Sequence, residues 1–254
     1  MISSKNNSKI KGIKKLLSSA KERRVRGLFV IEGIRLVKEA PPEMVEQLYL
    51  SESLFRSGTF ETDFYNNMEV VSDEVFQSVS DTVTPQGALA LVRQPSWSLD
   101  PSELGDGCRL LLLDDIQDPG NLGTMIRTAE AAGVTMVVMS EGCADIFNPK
   151  VIRSTMGSIF RVPFVVDDLV SVVEALKAEG VIVYGAALDD AVDLRETEKA
   201  EKLAIVIGNE GNGISKGVLN SVSGKIRIPM EGRVESLNAA VSAALLLYYF
   251  RFFS

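Results

Sequence analysis

Three short segments combine glycines with side chains that could hold a substrate or assist a reaction. The first, 118–127, reads Asp-Pro-Gly-Asn-Leu-Gly-x-x-x-Arg. The second, 208–213, reads Gly-Asn-Glu-Gly-Asn-Gly and follows an apolar run of strand length. The third, 229–238, ends in Ser-Leu-Asn after a second such run. Because open α/β sheets bind ligands beyond the carboxyl ends of their strands, a ligand is expected at these segments, whose polar side chains include Asn121, Arg127, Glu210, Ser236 and Asn238.

The complete absence of histidine restricts the chemistry. It excludes a Ser-His-Asp triad, a Cys-His pair and a histidine-ligated metal. Two cysteines provide neither a zinc quartet nor a disulfide framework. We therefore expect no metal, and proton transfer must use a carboxylate, lysine, tyrosine, water or the substrate itself.

The glycine-rich segment 208–213 matches neither G-x-G-x-x-G nor G-x-x-x-x-G-K-[ST]. A dinucleotide-binding fold of the usual kind and a P-loop enzyme are both disfavoured. The glycines would still allow the backbone to approach a planar ligand closely.

Each candidate also has an ordinary structural explanation. Asn121 and Ser236 are good helix N-caps. Arg127 could pair with Glu130 across one helical turn, and Glu210 could be a carboxylate in a turn.

Apolar runs alternate with helical patterns in the second half of the chain. Strands are expected near 109–114, 135–140, 161–162, 181–186, 203–207 and 225–228, with helices near 122–132, 170–178, 214–221 and 238–250. This alternation predicts a mostly parallel sheet with helices on both faces. The pattern in the first half of the chain predicts a smaller α/β module, in which a helix over 9–20 precedes a strand at 28–31.

The 254 residues suffice for two modest domains. The segment 93–107 contains two prolines and two glycines without periodicity, as expected for a linker. No apolar run approaches 18 residues, and the N-terminus lacks the apolar core of a signal peptide. Together with the cysteine count, this predicts a cytoplasmic protein.

The net charge of −7 is unevenly distributed. Residues 1–40 carry +8 and the remainder −15. Such asymmetry indicates a basic arm that follows phosphates, although a solvated helix face is the alternative. The candidate phosphate contacts in this arm are Arg23, Arg24, Arg26 and Arg35.

The three segments resemble the ordered motifs of the SpoU/TrmH family of RNA ribose 2′-O-methyltransferases, which belong to the SPOUT superfamily. The third is similar to the family pattern from Ile226 through Pro229 and Met230 to Ser236-Leu-Asn238. The N-terminal pattern Lys-x-Arg-x-x-x-Gly-x-Phe-x-x-Glu-Gly-x-Arg resembles the start of the family's RNA-binding domain. The loop 81–87 resembles the end of that domain, with a plain turn as the alternative. The resemblance covers essentially the whole chain.

The resemblance implies S-adenosyl-L-methionine as cofactor and assigns roles to individual residues. Arg127 becomes the catalytic arginine, with Asn121 organising its loop, Glu210 near the ribose or cofactor, and Ser236 and Asn238 shaping the pocket. The implied cofactor contacts are Gly208, Asn209, Gly211, Ile228, Met230, Leu237 and Ala239. The resemblance also implies that the segment 148–160 faces the RNA, which makes Arg153 a further candidate RNA contact.

The fold implied is an α/β SPOUT domain with a C-terminal trefoil knot, over 108–254, after a linker at 94–107 and an RNA-binding domain over 1–93. A homodimer is also implied, and the apolar 239–250 helix could supply its interface or be buried within one subunit. Large-subunit ribosomal RNA is the favoured substrate and transfer RNA the second.

The implied reaction transfers a methyl group in line from a sulfonium to a ribose 2′-oxygen. Because guanidinium stays protonated in proteins, we expect Arg127 to orient a phosphate and stabilise the developing alkoxide; the alternative gives it the role of base. Two other hypotheses are an RNA-binding homologue without catalysis and another cofactor enzyme on a doubly wound sheet.

Overall fold

The computed structural model describes residues 1–198, 200–234 and 236–253. The chain divides into two compact units: Met1–Pro95 with Phe147–Phe160, and Ser96–Ile146 with Arg161–Ser254. The segment Phe147–Phe160 thus belongs to the first unit, although in chain order it falls within the methyltransferase domain we predicted. The predicted domain boundaries stay a prediction.

The first unit contains a four-stranded mixed sheet. Its strands are β1 (Leu28–Glu32), β2 (Val45–Ser51), β3 (Met68–Val71) and β4 (Ala88–Arg93), in the order β1-β4-β2-β3. Only β2 and β3 are parallel neighbours. The helices are α1 (Ser8–Ser18), α2 (Ala20–Arg26), α3 (Ile34–Glu39), α4 (Glu52–Ser57), α5 (Asp73–Gln77) and α7 (Pro149–Thr155).

The core of this unit forms where α1 and α5 cover one face of the sheet. Ile10, Ile13 and Leu16 recur at helical spacing and are fully buried against strand residues such as Val30 and Leu89. Burial of a leucine or isoleucine side chain stabilises the fold by about 1.5–3 kcal/mol. The amphipathic pattern of α1 therefore anchors the basic N-terminal segment to the sheet.

The prediction of a single helix over 9–20 is wrong at its end, because α1 ends at Ser18 and a second helix begins after Ser19. The Ser19 hydroxyl accepts a hydrogen bond from the backbone N–H of Glu22 at 3.2 Å and starts α2 as an N-cap. Gly27, with φ of 61°, ends α2 in the left-handed conformation that glycine adopts without strain.

The second unit contains a fully parallel seven-stranded sheet. Its strands are β5 (Arg109–Leu113), β6 (Met136–Met139), β7 (Phe164–Val166), β8 (Ile182–Ala186), β9 (Val192–Asp193), β10 (Leu203–Ile207) and β11 (Gly224–Arg227). The order is β7-β6-β5-β10-β8-β11-β9. The predicted parallel α/β sheet is confirmed.

Helices cover both faces of this sheet. They are α6 (Pro119–Ala131), α8 (Leu169–Ala178), α9 (Lys216–Ser221) and α10 (Ala239–Tyr248), the last continued by a π-helical turn at Tyr249–Phe253. Leu110 and Leu112 of β5 pack towards α8. Because strand side chains alternate, Leu111 and Leu113 point to the opposite face.

Two details of the second unit differ from the sequence-based expectation. The strand expected at 161–162 begins after Pro163 instead, at Phe164. Proline has no backbone N–H to donate within a ladder. The two-residue edge strand β9 was not predicted, since it has no apolar run of its own.

Among the described residues, no helix is long and apolar enough to cross a membrane. The trefoil knot stays a prediction.

Candidate active site and cofactor cavity

The loop after β5 carries the first motif and leads into α6. We expected Asn121 to cap this helix, but Asp118 does so: its carboxylate accepts a hydrogen bond from the backbone N–H of Asn121 at 2.8 Å. Pro119 occupies the first helical position, where its missing N–H has no cost. The side chain of Asn121 therefore does not cap the helix and can form hydrogen bonds with the other loops.

The loop after β10 carries the second motif and is folded by Asn209. The Asn209 side-chain oxygen accepts hydrogen bonds from the backbone N–H groups of Gly211 and Asn212, both at 2.9 Å. Two backbone hydrogen bonds join Asn209 and Gly213. An added Cβ at Gly208 would lie 2.2 Å from the backbone of Gly213, so only glycine fits here.

The loop after β11 carries the third motif and leads into α10. Ser236 was expected to cap this helix, but Asn238 does so, accepting from the backbone N–H groups of Ala240 at 2.9 Å and Val241 at 3.3 Å. Ser236 and Leu237 therefore precede the helix, and both line the cavity described below.

A hydrogen-bond chain joins the three loops. The Glu210 carboxylate accepts from the side-chain amide of Asn121 at 2.9 Å and from the backbone N–H groups of Gln117 and Asp118 at 3.4 and 3.3 Å. The Asn121 oxygen in turn accepts from the side-chain amide of Asn238 at 3.0 Å. Three residues far apart in sequence thus form one continuous polar network.

This environment favours the ionised form of Glu210. Partial burial raises the pKa of Glu210, but the hydrogen bonds from Asn121, Gln117 and Asp118 outweigh burial, and the pKa is lowered from its ordinary value. A carboxylate that accepts several N–H donors is stabilised as an anion. Glu210 is therefore suited to holding the loops together and poorly suited to accepting a proton.

Arg127 lies on α6, six residues beyond Asn121, with its side chain exposed. Among the described residues, its guanidinium has no hydrogen bond or ion pair. The alternative pairing with Glu130 is absent, because the Glu130 carboxylate accepts hydrogen bonds from Arg161. Arg127 is thus available for an anionic ligand.

A cavity of about 660 Å³ opens at the carboxyl ends of β8, β10 and β11, which are adjacent in the sheet. Ligand cavities of about 300–1,000 Å³ suit small molecules of nucleoside size. The lining includes every predicted cofactor contact, namely Gly208, Asn209, Gly211, Ile228, Met230, Leu237 and Ala239. It also includes Glu210, Ser236 and Asn238.

Sequence reasoning missed two aspartates that position the second loop. Asp114 is buried, and its carboxylate accepts from the backbone N–H of Ser215 at 2.7 Å. The backbone carbonyl of Asp115 accepts from the Asn209 side chain at 2.8 Å. The sequence feature that could have identified these aspartates is their position, because two consecutive carboxylates follow directly at the end of a buried strand.

The cavity also has a wall that we did not predict. Leu188 and Asp189, which follow β8, both line it. No glycine motif marks this turn in the sequence.

The predicted RNA contacts lie in three different environments. Arg24, Arg26 and Arg35 are exposed. Arg23 is only 3% exposed and donates hydrogen bonds to the backbone carbonyls of Leu16 and Leu17, so the structure contradicts its assignment as an RNA contact. Arg153 lies on α7 in the first unit and forms an ion pair with Asp81.

Two family models match this chain. The model of the SpoU rRNA methylase family matches residues 109–248, and that of the MRM3-like substrate binding domain matches residues 7–90. The chain belongs to the SpoU rRNA methylase family.

Relatives of this family cover the whole chain. The chain is 41% identical over 252 residues to the 23S rRNA (guanosine(2553)-2′-O)-methyltransferase RlmP of Bacillus subtilis, covering 98% of both chains. A putative TrmH-family RNA methyltransferase from Porphyromonas gingivalis is 33% identical with a TM-score of 0.84, covering 98% of this chain and 99% of that one. The AdoMet-bound rRNA methyltransferase from Sinorhizobium meliloti is 26% identical with a TM-score of 0.86, covering 98% and 96%.

These similarities confirm several sequence-based expectations. The chain is an RNA ribose 2′-O-methyltransferase of the SpoU family, and its cofactor is S-adenosylmethionine. The hypotheses of an inactive RNA-binding homologue and of an unrelated cofactor enzyme are set aside.

Proposed function

We propose that this enzyme methylates the ribose of a guanosine in large-subunit ribosomal RNA and works as a cytoplasmic homodimer. The substrate class is supported by the 41% identity to RlmP over 98% of both chains. The chemistry is supported by one observation above all: the network Glu210–Asn121–Asn238 joins all three motif loops beside the cavity.

The cavity residues fit S-adenosylmethionine. Gly208 lets its loop fold back tightly, because a side chain there would meet the backbone of Gly213, and the folded loop lines the cavity. Ile228, Leu237 and Ala239 give apolar lining, while Glu210 and Asp189 give polar groups. When bound, S-adenosylmethionine supplies a methyl group activated by its sulfonium.

We assign the chain's own catalytic residues as follows. Arg127 holds the phosphate next to the target ribose and stabilises negative charge that develops on the 2′-oxygen, which suits a planar cation with several N–H donors. Glu210 and Asn121 position the Arg127 helix and the cavity loops, with Ser236 and Asn238 on the third loop. Positioning of this kind contributes several kcal/mol to lowering the barrier.

The homodimer is supported by the outer surface of α10. Val241, Leu245 and Tyr248 are 48%, 45% and 39% exposed and recur at spacings of four and three residues. Such spacing places them on one helical face. A contiguous apolar stripe on a surface helix supports a protein–protein contact there.

The test is methyl transfer from radiolabelled S-adenosylmethionine to protein-free RNA, with no metal added. Large-subunit ribosomal RNA should be methylated, and mass spectrometry of the digest should identify 2′-O-methylguanosine; transfer RNA should remain unlabelled.

Arg127→Ala should bind the cofactor as the parent does, yet lose two to four orders of magnitude in single-turnover rate. Labelling of transfer RNA alone would refute the substrate class, and parental activity in Arg127→Ala would refute the role of Arg127.

A further inference from the structure

Asp115, the second residue after β5, has an unusual backbone conformation. Its φ is 57°, one of three positive values found among non-glycine residues in the described part of the chain. A residue with a side chain pays free energy to adopt this left-handed region, and it does so only where the surrounding structure enforces the conformation. The contacts of Asp115 must therefore offset this cost.

The backbone of Asp115 joins two loops. Its N–H donates a hydrogen bond to Ser140 Oγ at 2.9 Å, and Ser140 directly follows β6. Its carbonyl accepts a hydrogen bond from Asn209 Nδ2 at 2.8 Å, in the loop after β10. Because φ and ψ of a residue set the angle between its N–H and its C=O, the left-handed conformation lets Asp115 meet both partners.

The hydrogen bond to Asp115 orients the side-chain amide of Asn209. The amide nitrogen is directed at Asp115, and the amide oxygen accepts from the backbone N–H groups of Gly211 and Asn212, both at 2.9 Å. Asn209, Gly211 and Asn212 all line the cofactor cavity. The shape of this cavity wall thus depends on a side chain whose orientation is held by the backbone of Asp115.

The segment 140–144, which follows β6, is fastened to the loop of Asp115 at further points. Cys143 Sγ accepts a hydrogen bond from the backbone N–H of Ile116 at 3.3 Å, and the Ala144 N–H donates to the Ile116 carbonyl at 2.8 Å. This segment lies outside all three motifs, and none of the described residues that line the cavity belongs to it. Its contribution to the cofactor site is therefore indirect.

We propose that Ser140 and Asp115 are positioning residues for S-adenosylmethionine, which act through Asn209 to hold the loop 208–213 in its binding shape. The segment after β6 is then a fourth determinant of the cofactor site. When the hydrogen-bond relay Ser140–Asp115–Asn209 is broken, the loop samples other shapes, and the apparent dissociation constant rises as the competent fraction falls. The inference rests on the proposed role of loop 208–213 in cofactor binding.

The experiment compares full-length variants by calorimetric titration with S-adenosylmethionine and by single-turnover methyl transfer to ribosomal RNA. Asp115→Val and Asp115→Gly both remove the carboxylate, but a β-branched residue is disfavoured in the left-handed region and glycine adopts it freely. Cofactor affinity should fall by about tenfold, or roughly 1.4 kcal/mol, in Asp115→Val and by no more than about threefold in Asp115→Gly. The rate at saturating cofactor should stay parental in both, because the bound loop has one shape.

Ser140→Ala removes the acceptor of the Asp115 N–H without imposing a new backbone conformation, so it decides the question even if Asp115→Val does not fold. Cofactor affinity should fall by about three- to tenfold, as expected for the loss of one hydrogen bond. Ser223→Ala is the matched control, because Ser223 Oγ accepts from the backbone N–H of Val183 at 3.1 Å near the amino end of β8. It should lower the melting temperature and leave cofactor affinity parental.

Three outcomes would overturn the relay. They are equal affinities in Asp115→Val and Asp115→Gly, parental affinity in Ser140→Ala, and a loss of affinity in Ser223→Ala as large as that in Ser140→Ala. The proposed role of loop 208–213 fails separately, when Asn209→Ala binds S-adenosylmethionine as tightly as the parent.

Discussion

At the residue scale, Glu210 shows how one carboxylate can serve a site without exchanging a proton. It accepts N–H donors from the first loop at three points. A glutamine in its place keeps one oxygen but turns an amide N–H towards at least one of these donors, and a donor facing a donor leaves both without a partner.

Glu210→Gln should therefore lower the melting temperature at neutral pH by loosening the loops. The pKa of Glu210 is lowered in the folded protein, so its stabilising effect is present above the ordinary glutamate range and is lost as the pH falls through the folded-state value. The difference in melting temperature between parent and variant should shrink on acidification, as followed by circular dichroism from neutral to acidic pH. A difference that stays constant with pH would contradict this role.

Gly208 is a second residue-scale determinant, because its backbone has no room for a side chain. Gly208→Ala should weaken S-adenosylmethionine binding at least tenfold, since a Cβ 2.2 Å from neighbouring backbone atoms forces the loop to move. Isothermal calorimetry without RNA measures this. Gly217→Ala is the control, because a Cβ there would meet only Val170 at an ordinary 3.5 Å and cofactor affinity should be parental. Parental affinity in Gly208→Ala would remove this glycine from the cofactor site.

At the scale of elements, the arginines near the junction of α1 and α2 have two different roles. Arg23 is buried and satisfies carbonyls near the end of α1, which lack partners within the helix. Arg24 and Arg26, on the same short helix, are exposed. Neighbouring residues of one type thus have different functions because the helix turns about 100° per residue.

Arg23→Ala should destabilise the protein by about 1–3 kcal/mol, since buried carbonyls would lose a charged donor. Arg24→Ala combined with Arg26→Ala should leave stability parental and flatten the salt dependence of RNA binding. Urea unfolding and RNA titration at several salt concentrations distinguish the two effects. Unchanged stability in Arg23→Ala, or an unchanged salt slope in the double variant, would show that the assignment is wrong.

At the scale of the whole molecule, α10 has two apolar faces. Ala240, Ala243 and Leu247 are buried within the unit, whereas Leu245 and Tyr248 remain exposed. Amphipathic helices at a protein surface usually have one apolar face. The second face is the surface we assign to the homodimer.

Leu245→Glu should convert the dimer into a monomer, because a charge desolvated in an apolar contact is costly. Analytical ultracentrifugation at several protein concentrations measures the result. Val83→Glu, an equally charged change on an exposed residue of the other unit, should leave the dimer intact. A parent that is already monomeric, or a variant that still dimerises, would refute this interface.

The sequence by itself determined the fold class and the composition of the site. Alternation of apolar runs with helical patterns predicted the parallel sheet, because strand and helix periods are set locally. The resemblance of the motif segments to the SpoU/TrmH family predicted residues of the second and third segments that line the cavity, and loops at the carboxyl ends of parallel strands gather on one edge of the sheet. The absence of histidine excluded whole classes of chemistry without any structure.

Only the tertiary structure decided what individual side chains do. Asn121 and Ser236 look like N-caps in sequence, but Asp118 and Asn238 take those positions, since several polar residues compete locally and packing selects among them. The sequence could not distinguish Arg23 from Arg24 and Arg26, because the burial of Arg23 against α1 depends on how the helices pack. The network through Glu210 joins residues 89 and 117 positions apart, and no local pattern encodes such a distance.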